Sequence, residues 1–208
     1  RGGYGATGAG IRLNQATGTT ITGNTITAIR GGHGGNSARD SGSPATGGSG
    51  YGIFVNASAT ASVLRNSVTT VEGGHGGNLD GVLDQAGADG GPGIGAGVRG
   101  SSTITVDGLT VRNITGGTTG RGDIPARDAR GGGGYGVSVD ASTGVPVSHV
   151  SVSGVRTGPG RLTSGTAGIY FRNASQTSLT FASIDDVGAG TTNGDGVWIS
   201  VDQIATVD

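Results

Sequence analysis

The chain contains no cysteine, no methionine and no lysine. Without cysteine there is no disulfide framework and no thiolate metal site. Its 13 basic residues are all arginine, and Glu72 is the sole glutamate. The formal net charge is −1, which argues against the basic footprint of a nucleic-acid binder. Aromatic residues make up 4%, with Trp198 the one tryptophan. No apolar run approaches about 18 residues, so nothing reads as a transmembrane helix. No signal peptide is legible, and the chain reads as one domain, 1–208, expected to be a segment of a longer precursor or assembly.

What is abundant is glycine, 48 of 208 residues. So high a share normally suggests low complexity or disorder. Disordered chains, however, are rich in charge and poor in β-branched residues. Here charged residues are only 13%, and Val, Ile and Thr recur in short alternating runs, which is strand material. An apolar fraction of 32% suits a thin, elongated core.

The strongest signal is internal repetition. A glycine followed by an aliphatic residue opens each of six units, at Gly10-Ile11, Gly52-Ile53, Gly97-Val98, Gly136-Val137, Gly168-Ile169 and Gly196-Val197. In five units the next aliphatic position follows 10 residues later, and in the third it follows 8 later, from Val98 to Val106. Steps of 5 and 3 come next, as in Ile21-Ile26-Ile29 and Val63-Val68-Val71. All length variation falls after the last of these positions. A coil of fixed length with insertions at one corner is what a stacked solenoid requires. The reading is therefore all-β: a right-handed parallel β-helix of about six coils, with glycine-rich loops inserted at one corner. Its inward columns are Ile21/Val63/Val106/Val147/Leu179/Val207 and Ile26/Val68/Val111/Val152/Ile184. A third column runs Asn24, Asn66, Leu109, Val150, Ala182 and begins as an asparagine ladder. Hydroxyls in the neighbouring column, Thr25, Ser67, Thr110, Ser151 and Ser183, are expected to face outward.

The runs Thr20-Ile21-Thr22-Gly23-Asn24-Thr25-Ile26 and Val63-Leu64-Arg65-Asn66-Ser67-Val68 resemble the parallel β-helix repeat of the pectate-lyase-like superfamily. The resemblance extends over all six units. It implies the fold and leaves the activity open, since that superfamily holds polysaccharide lyases and hydrolases, phage tailspikes and autotransporter passengers. The glycine-rich inserts are similar to those of bacterial surface and adhesin-type β-helix proteins.

These inserts occupy 30–51, 72–96, 115–135, 156–167 and 188–195. The first two share the hexad Gly-Gly-His-Gly-Gly-Asn, at 31–36 and 73–78. Gly-Gly-X has the period of an extended threefold helix. The loops are thus expected to pack side by side as an ordered layer of the polyglycine II type rather than as flexible linkers.

The remaining motifs carry little chemistry. Gly32-His33-Gly34, Gly74-His75-Gly76 and the pair Asp185-Asp186 invite a polygalacturonase-like reading, which the resemblance supplies. Glycoside hydrolysis needs two carboxylates about 5–10 Å apart, whereas the histidines leave coils one and two and the Asp pair sits in coil five, about 14 Å away. Calcium wants six to eight oxygens; neither Asp185/Asp186/Asp195 nor Asp80/Asp84/Asp89 matches a calcium loop, so no cofactor is assigned. His33 and His75 lack a third metal ligand and are expected to stack or cap a loop. The tripeptide Arg121-Gly122-Asp123 and the sequons at Asn56, Asn113 and Asn173 are short enough to recur by chance. An ice-binding reading of the hydroxyl column ranks third, because Arg112 and Asp185 interrupt the flanking column. No catalytic, cofactor or metal residue is assigned, and no enzymatic activity is expected. The expected role is that of an extracellular or cell-surface structural or adhesive protein, self-assembling into fibres, its partners being neighbouring coils, surface glycans or matrix. The alternative is a carbohydrate-active or carbohydrate-binding β-helix, which demands an acidic or aromatic groove spanning adjacent coils. Trp198 stands alone in the sequence, and Tyr51 and Tyr135 precede coil starts, where packing at the loop root is expected.

Overall fold

The computed structural model describes residues 3–38, 43–80, 87–122, 129–160, 162–189, 192–200 and 205–207. It is a parallel β-helix. The first sheet stacks Gly8–Asn14, Gly50–Asn56, Gly93–Arg99, Gly134–Asp140, Thr166–Arg172 and Asp195–Ser200. The second stacks Thr20–Thr22, Ser62–Leu64, Thr105–Asp107, Pro146–Ser148, Thr177–Thr180 and Ala205–Val207. The third stacks Thr25–Arg30, Ser67–Glu72, Thr110–Thr115, Ser151–Arg156 and Ser183–Ala189, and ends in the short strand Thr192–Asn193. That strand folds back antiparallel on Ser183–Ala189, while every other pairing among the described residues is parallel. A side-chain period of two sends Ile21, Val63, Val106, Val147 and Leu179 inward from the second sheet. They meet Ile26, Val68, Val111 and Val152 from the third. The Asn24–Asn66 ladder forms as read: Asn24 Nδ2 donates to Asn66 Oδ1 at 3.0 Å, and Asn66 Nδ2 donates to the carbonyls of Ile21 and Leu64.

The register corrects one unit. The third opens at Gly95-Ala96, not at Gly97-Val98: Ala96 pairs with Ile53 and Val137. From Ala96 to Val106 is then 10 residues, as in the other five. The opening glycine is required because it faces Val111 across the core, and a Cβ on Gly95 would stand 2.3 Å from Val111 Cγ1. Gly52 and Gly136 meet Val68 and Val152 the same way.

Corners are set by left-handed residues at fixed positions in the five coils whose corners are described. One set is Gln15, Ala57, Gly100, Ala141 and Asn173, and another is Gly23, Arg65, Gly108, His149 and Phe181. Each non-glycine residue there costs roughly 1–2 kcal/mol. The corner after the first sheet is further held by serines. The hydroxyls of Ser58, Ser101 and Ser142 each accept a backbone N–H from the coil below and donate to the carbonyl two residues back.

The glycine-rich arms form a second, ordered layer. Outgoing arms (31–36, 73–78, 116–121) stack in one column and returning arms (45–50, 88–93, 129–134) in another. Between the columns runs a continuous chain of backbone bonds: Gly48 donates to Gly32, Gly74 to Gly48, Gly91 to Gly74, Gly117 to Gly91, Gly132 to Gly117 and Gly158 to Gly132, all at 2.7–2.9 Å. Along the outgoing column Gly34 donates to His75 and Gly76 to Thr118; along the returning column Gly47 donates to Asp89 and Gly90 to Arg130. In each outgoing triplet the first residue bonds along its column and the second bonds across. The third points out, which is the period-three geometry the hexads predict. The glycines serve close approach here rather than unusual torsions. A Cβ on Gly117 would lie 1.9 Å from the Gly74 carbonyl oxygen, and Gly117 is not among the described residues with positive φ.

Candidate functional site

The outward side of the first sheet carries a depression. Along it the register aligns Arg12, Phe54, Gly97, Ser138, Tyr170 and Trp198. Two small residues, Gly97 and Ser138, lie between large ones; the Tyr51 ring packs on Gly97, and a slot opens beside them. Its volume is about 360 Å³. Phe54 and Tyr170 are three rungs apart, about 14 Å between backbones.

Aromatic rings wall the slot on both sides. Tyr51 stacks on Phe54 with centroids 4.2 Å apart, and Arg12 lies over the far face of Phe54 at 5.6 Å. Opposite, Tyr135 stacks on Tyr170 at 5.0 Å, and Tyr170 meets Trp198 at 4.9 Å. Trp198 is thus one rung of an aromatic ladder rather than an isolated ring. It rests over Gly165, where a Cβ would touch the indole. Tyr51 and Tyr135 do sit at the loop roots, and from there they face the slot. Burial raises the phenol pKa of both tyrosines, so they are neutral hydrogen-bonding groups at physiological pH.

The next outward column aligns Asn56, Arg99, Asp140 and Arg172. Asp140 accepts two hydrogen bonds from Arg172, Nε at 2.8 Å and a terminal nitrogen at 2.6 Å, and Arg99 Nε lies 3.6 Å away. The bonds from Arg172 hold the Asp140 carboxyl below the usual carboxylate range. Asp140 is the one carboxylate among the described lining residues and stays ionised at neutral pH. It can accept from hydroxyls, and the two guanidinium groups can donate to ring or hydroxyl oxygens. The layer contributes Ser49, Gly90, Pro92 and Gly133 to the opposite rim.

The motifs noted in the sequence lie elsewhere. His33 and His75 stack at 4.7 Å on the outer face of the glycine layer. His75 is held between Glu72 Oε1, 2.9 Å from Nε2, and the Thr118 hydroxyl at Nδ1, so neither ring nitrogen is free for a metal. No group of three or more His, Cys, Asp or Glu gathers among the described residues. Asp186 pairs with Arg156, Asp185 and Asp195 are exposed, and Asp89 accepts the Arg130 N–H at 2.6 Å. Asp84 and Asp123 lie outside the described residues, as does the Asp80 side chain. The sequence reading named Tyr51, Tyr135 and Trp198 but missed Phe54, Tyr170, Gly97 and the Arg99–Asp140–Arg172 row. With the third unit opened two residues late, Gly97 fell on the inward side and the outward column could not be aligned.

No protein-family model matches the chain, and no curated protein matches it in sequence. Among solved structures, a periplasmic alginate epimerase aligns with 93% of the chain at 11% identity and a TM-score of 0.24. The chain spans 47% of that protein's length. The A-module of a mannuronan C-5 epimerase from Azotobacter vinelandii aligns with 95% of the chain at 12% identity, covering 82% of the module, with a TM-score of 0.13. A pentapeptide repeat protein from the cyanobacterium Nostoc aligns with 93% at 12% identity, covering 89% of that chain, with a TM-score of 0.12. At these scores the likeness carries no argument about activity.

Proposed function

We propose that the chain is an adhesive, extracellular β-helix that holds a glycan in the slot over Gly97 and Ser138 without cleaving it. The observation that supports this is the pair of stacked aromatic walls lining one slot, with an Arg–Asp–Arg row along one edge. Sugar rings present flat C–H faces that pack on aromatic rings and hydroxyl edges that pair with carboxylate and guanidinium groups. The walls belong to separate coils, so their spacing is fixed by the solenoid rise and not by loop motion. Hydrolysis would need a second carboxylate 5–10 Å from the first, and Asp140 is tied to Arg172 as a bound anion. The reading joins the adhesive role with the carbohydrate-binding alternative.

The test is a glycan array probed with the wild-type chain and Gly97→Leu. A Cβ at Gly97 would stand 2.6 Å from the Tyr51 ring, so leucine displaces that wall of the slot while the inward side of the strand is untouched. The expected result is retention of a defined glycan set by the wild type, loss of at least about tenfold in affinity for Gly97→Leu, and no release of reducing ends. Equal binding by both proteins would remove the slot as the site.

A further inference from the structure

We infer that the outer face of the glycine layer holds a second, separate binding site, for an oxyanion of the carboxylate or sulfate type. The site is the cleft of about 290 Å³ between two rows of outward residues, His33/His75/Thr118 and Asn36/Asn78/Arg121. The rows are three residues of extended chain apart, about 9 Å.

The layer's own bonding leaves this cleft rich in donors. Asn36 Oδ1 accepts the backbone N–H of Asn78 at 2.9 Å, and Asn78 Oδ1 accepts that of Arg121 at 2.8 Å. Each amide is thereby oriented with its oxygen on the backbone and its Nδ2 hydrogens left to donate. The Arg121 side chain is on an exposed residue at the end of the same row. His75 and Thr118 satisfy each other, with His33 stacked above. Glu72, the carboxylate that contacts His75 among the described residues, is occupied by Arg30 at 2.9 Å and by His75 at 2.9 Å. No carboxylate lies among the described residues lining the cleft.

Two oriented amides and a guanidinium facing one cleft call for an acceptor carrying charge. A cation is repelled by Arg121, and a neutral hydroxyl leaves the guanidinium without a counter-charge. A planar carboxylate or a sulfate takes parallel hydrogen bonds from the guanidinium and further ones from the amides. The ligand is either a free ion or an acidic group borne on a polymer.

The experiment titrates the full chain at low ionic strength with inorganic sulfate, with a sulfated tetrasaccharide and with its desulfated form. Calorimetry gives the affinity, and the ring resonances of His33 and His75 locate the site. Arg121→Gln keeps the backbone N–H that Asn78 accepts, so the layer is undisturbed. Arg112→Gln on the third sheet is the charge-matched control. The expected result is binding of the sulfated probes that shifts both histidines, is weakened about tenfold by Arg121→Gln and is unchanged by Arg112→Gln. Tighter binding of the tetrasaccharide than of the free ion assigns the site to a polymer-borne group, and equal affinity assigns it to the ion. Equal weakening by both substitutions, or no binding of either sulfated probe, would overturn the inference. A Gly97→Leu chain that still binds the sulfated probe separates this site from the slot.

Discussion

In the third sheet, Val68, Val111 and Val152 meet their neighbours through side chains, each fully or almost fully buried. A few residues further along the same coils, Gly74, Gly117 and Gly158 meet theirs with no side chain between. Both regions stack one strand or arm per coil, yet the coil does so by filling space with β-branched groups and the layer by emptying it. The coil gains mainly from apolar burial. The layer gains from backbone bonds, each worth about 1 kcal/mol net, multiplied along two columns. A volume change should therefore act in opposite directions: the coil suffers from losing atoms, the layer from gaining them.

The largest effect is expected in the layer. In Gly117→Ala the new methyl would sit 1.9 Å from the Gly74 oxygen and 2.5 Å from its carbonyl carbon. Both are backbone atoms already fixed by bonds to the next arm, so relief requires opening the column. The expected loss is about 3 kcal/mol or more, read as a lowered melting temperature and fast amide exchange at Gly91, Gly117 and Gly132. Rapid exchange at these amides already in the wild type would mean that the arms are not packed as a layer in solution. In the coil the smaller loss comes from Val111→Ala, which removes two methyls from a fully buried site. About 2 kcal/mol is expected, by denaturant unfolding, with the layer amides still protected. If the glycine substitution proved the milder of the two, the contrast between the regions would fail.

The same contrast explains what could be read from the sequence. Coil positions were legible because Ile21, Val63, Val106 and Val147 must all be apolar, and repetition of one requirement is a pattern. The layer was legible in the two arms where Gly-Gly-His-Gly-Gly-Asn repeats, but not in the returning arms, where Thr46-Gly47-Gly48-Ser49 and Asp89-Gly90-Gly91-Pro92 share spacing and little else. Corners were invisible: at one of them Gly23, Arg65, Gly108, His149 and Phe181 share only a positive φ, and glycine marks two of the five. The slot was the hardest to see. Phe54, Gly97, Ser138 and Tyr170 form a column whose members must differ from each other, and a requirement for difference leaves no repeat. It emerges only once the register is known, and a two-residue error in the third unit was enough to hide it.

The smallest effect belongs to the boundary between the regions, where Asp140 and Arg172 edge the slot. The Asp140 carboxyl is held below its ordinary value, first by hydrogen bonds from Arg172. A depressed folded pKa means that the folded chain resists protonation. Its stabilisation is complete above the unfolded value, about 3.9, and is lost as pH falls through the folded one. Asp140→Asn should therefore melt slightly below wild type from pH 7 to about 5, with the gap closing below about pH 4. The Arg172 side chain is 48% exposed, so solvent screening limits the gap to under about 1 kcal/mol. A gap that persisted at pH 2 would assign the difference to packing instead of charge. So small a contribution makes stability a poor reason for an Arg–Asp–Arg row on the outside of a solenoid that valines already hold. If the row serves the proposed glycan slot, the same Asp140→Asn chain should lose glycan binding at pH 7, where its fold is almost unaffected.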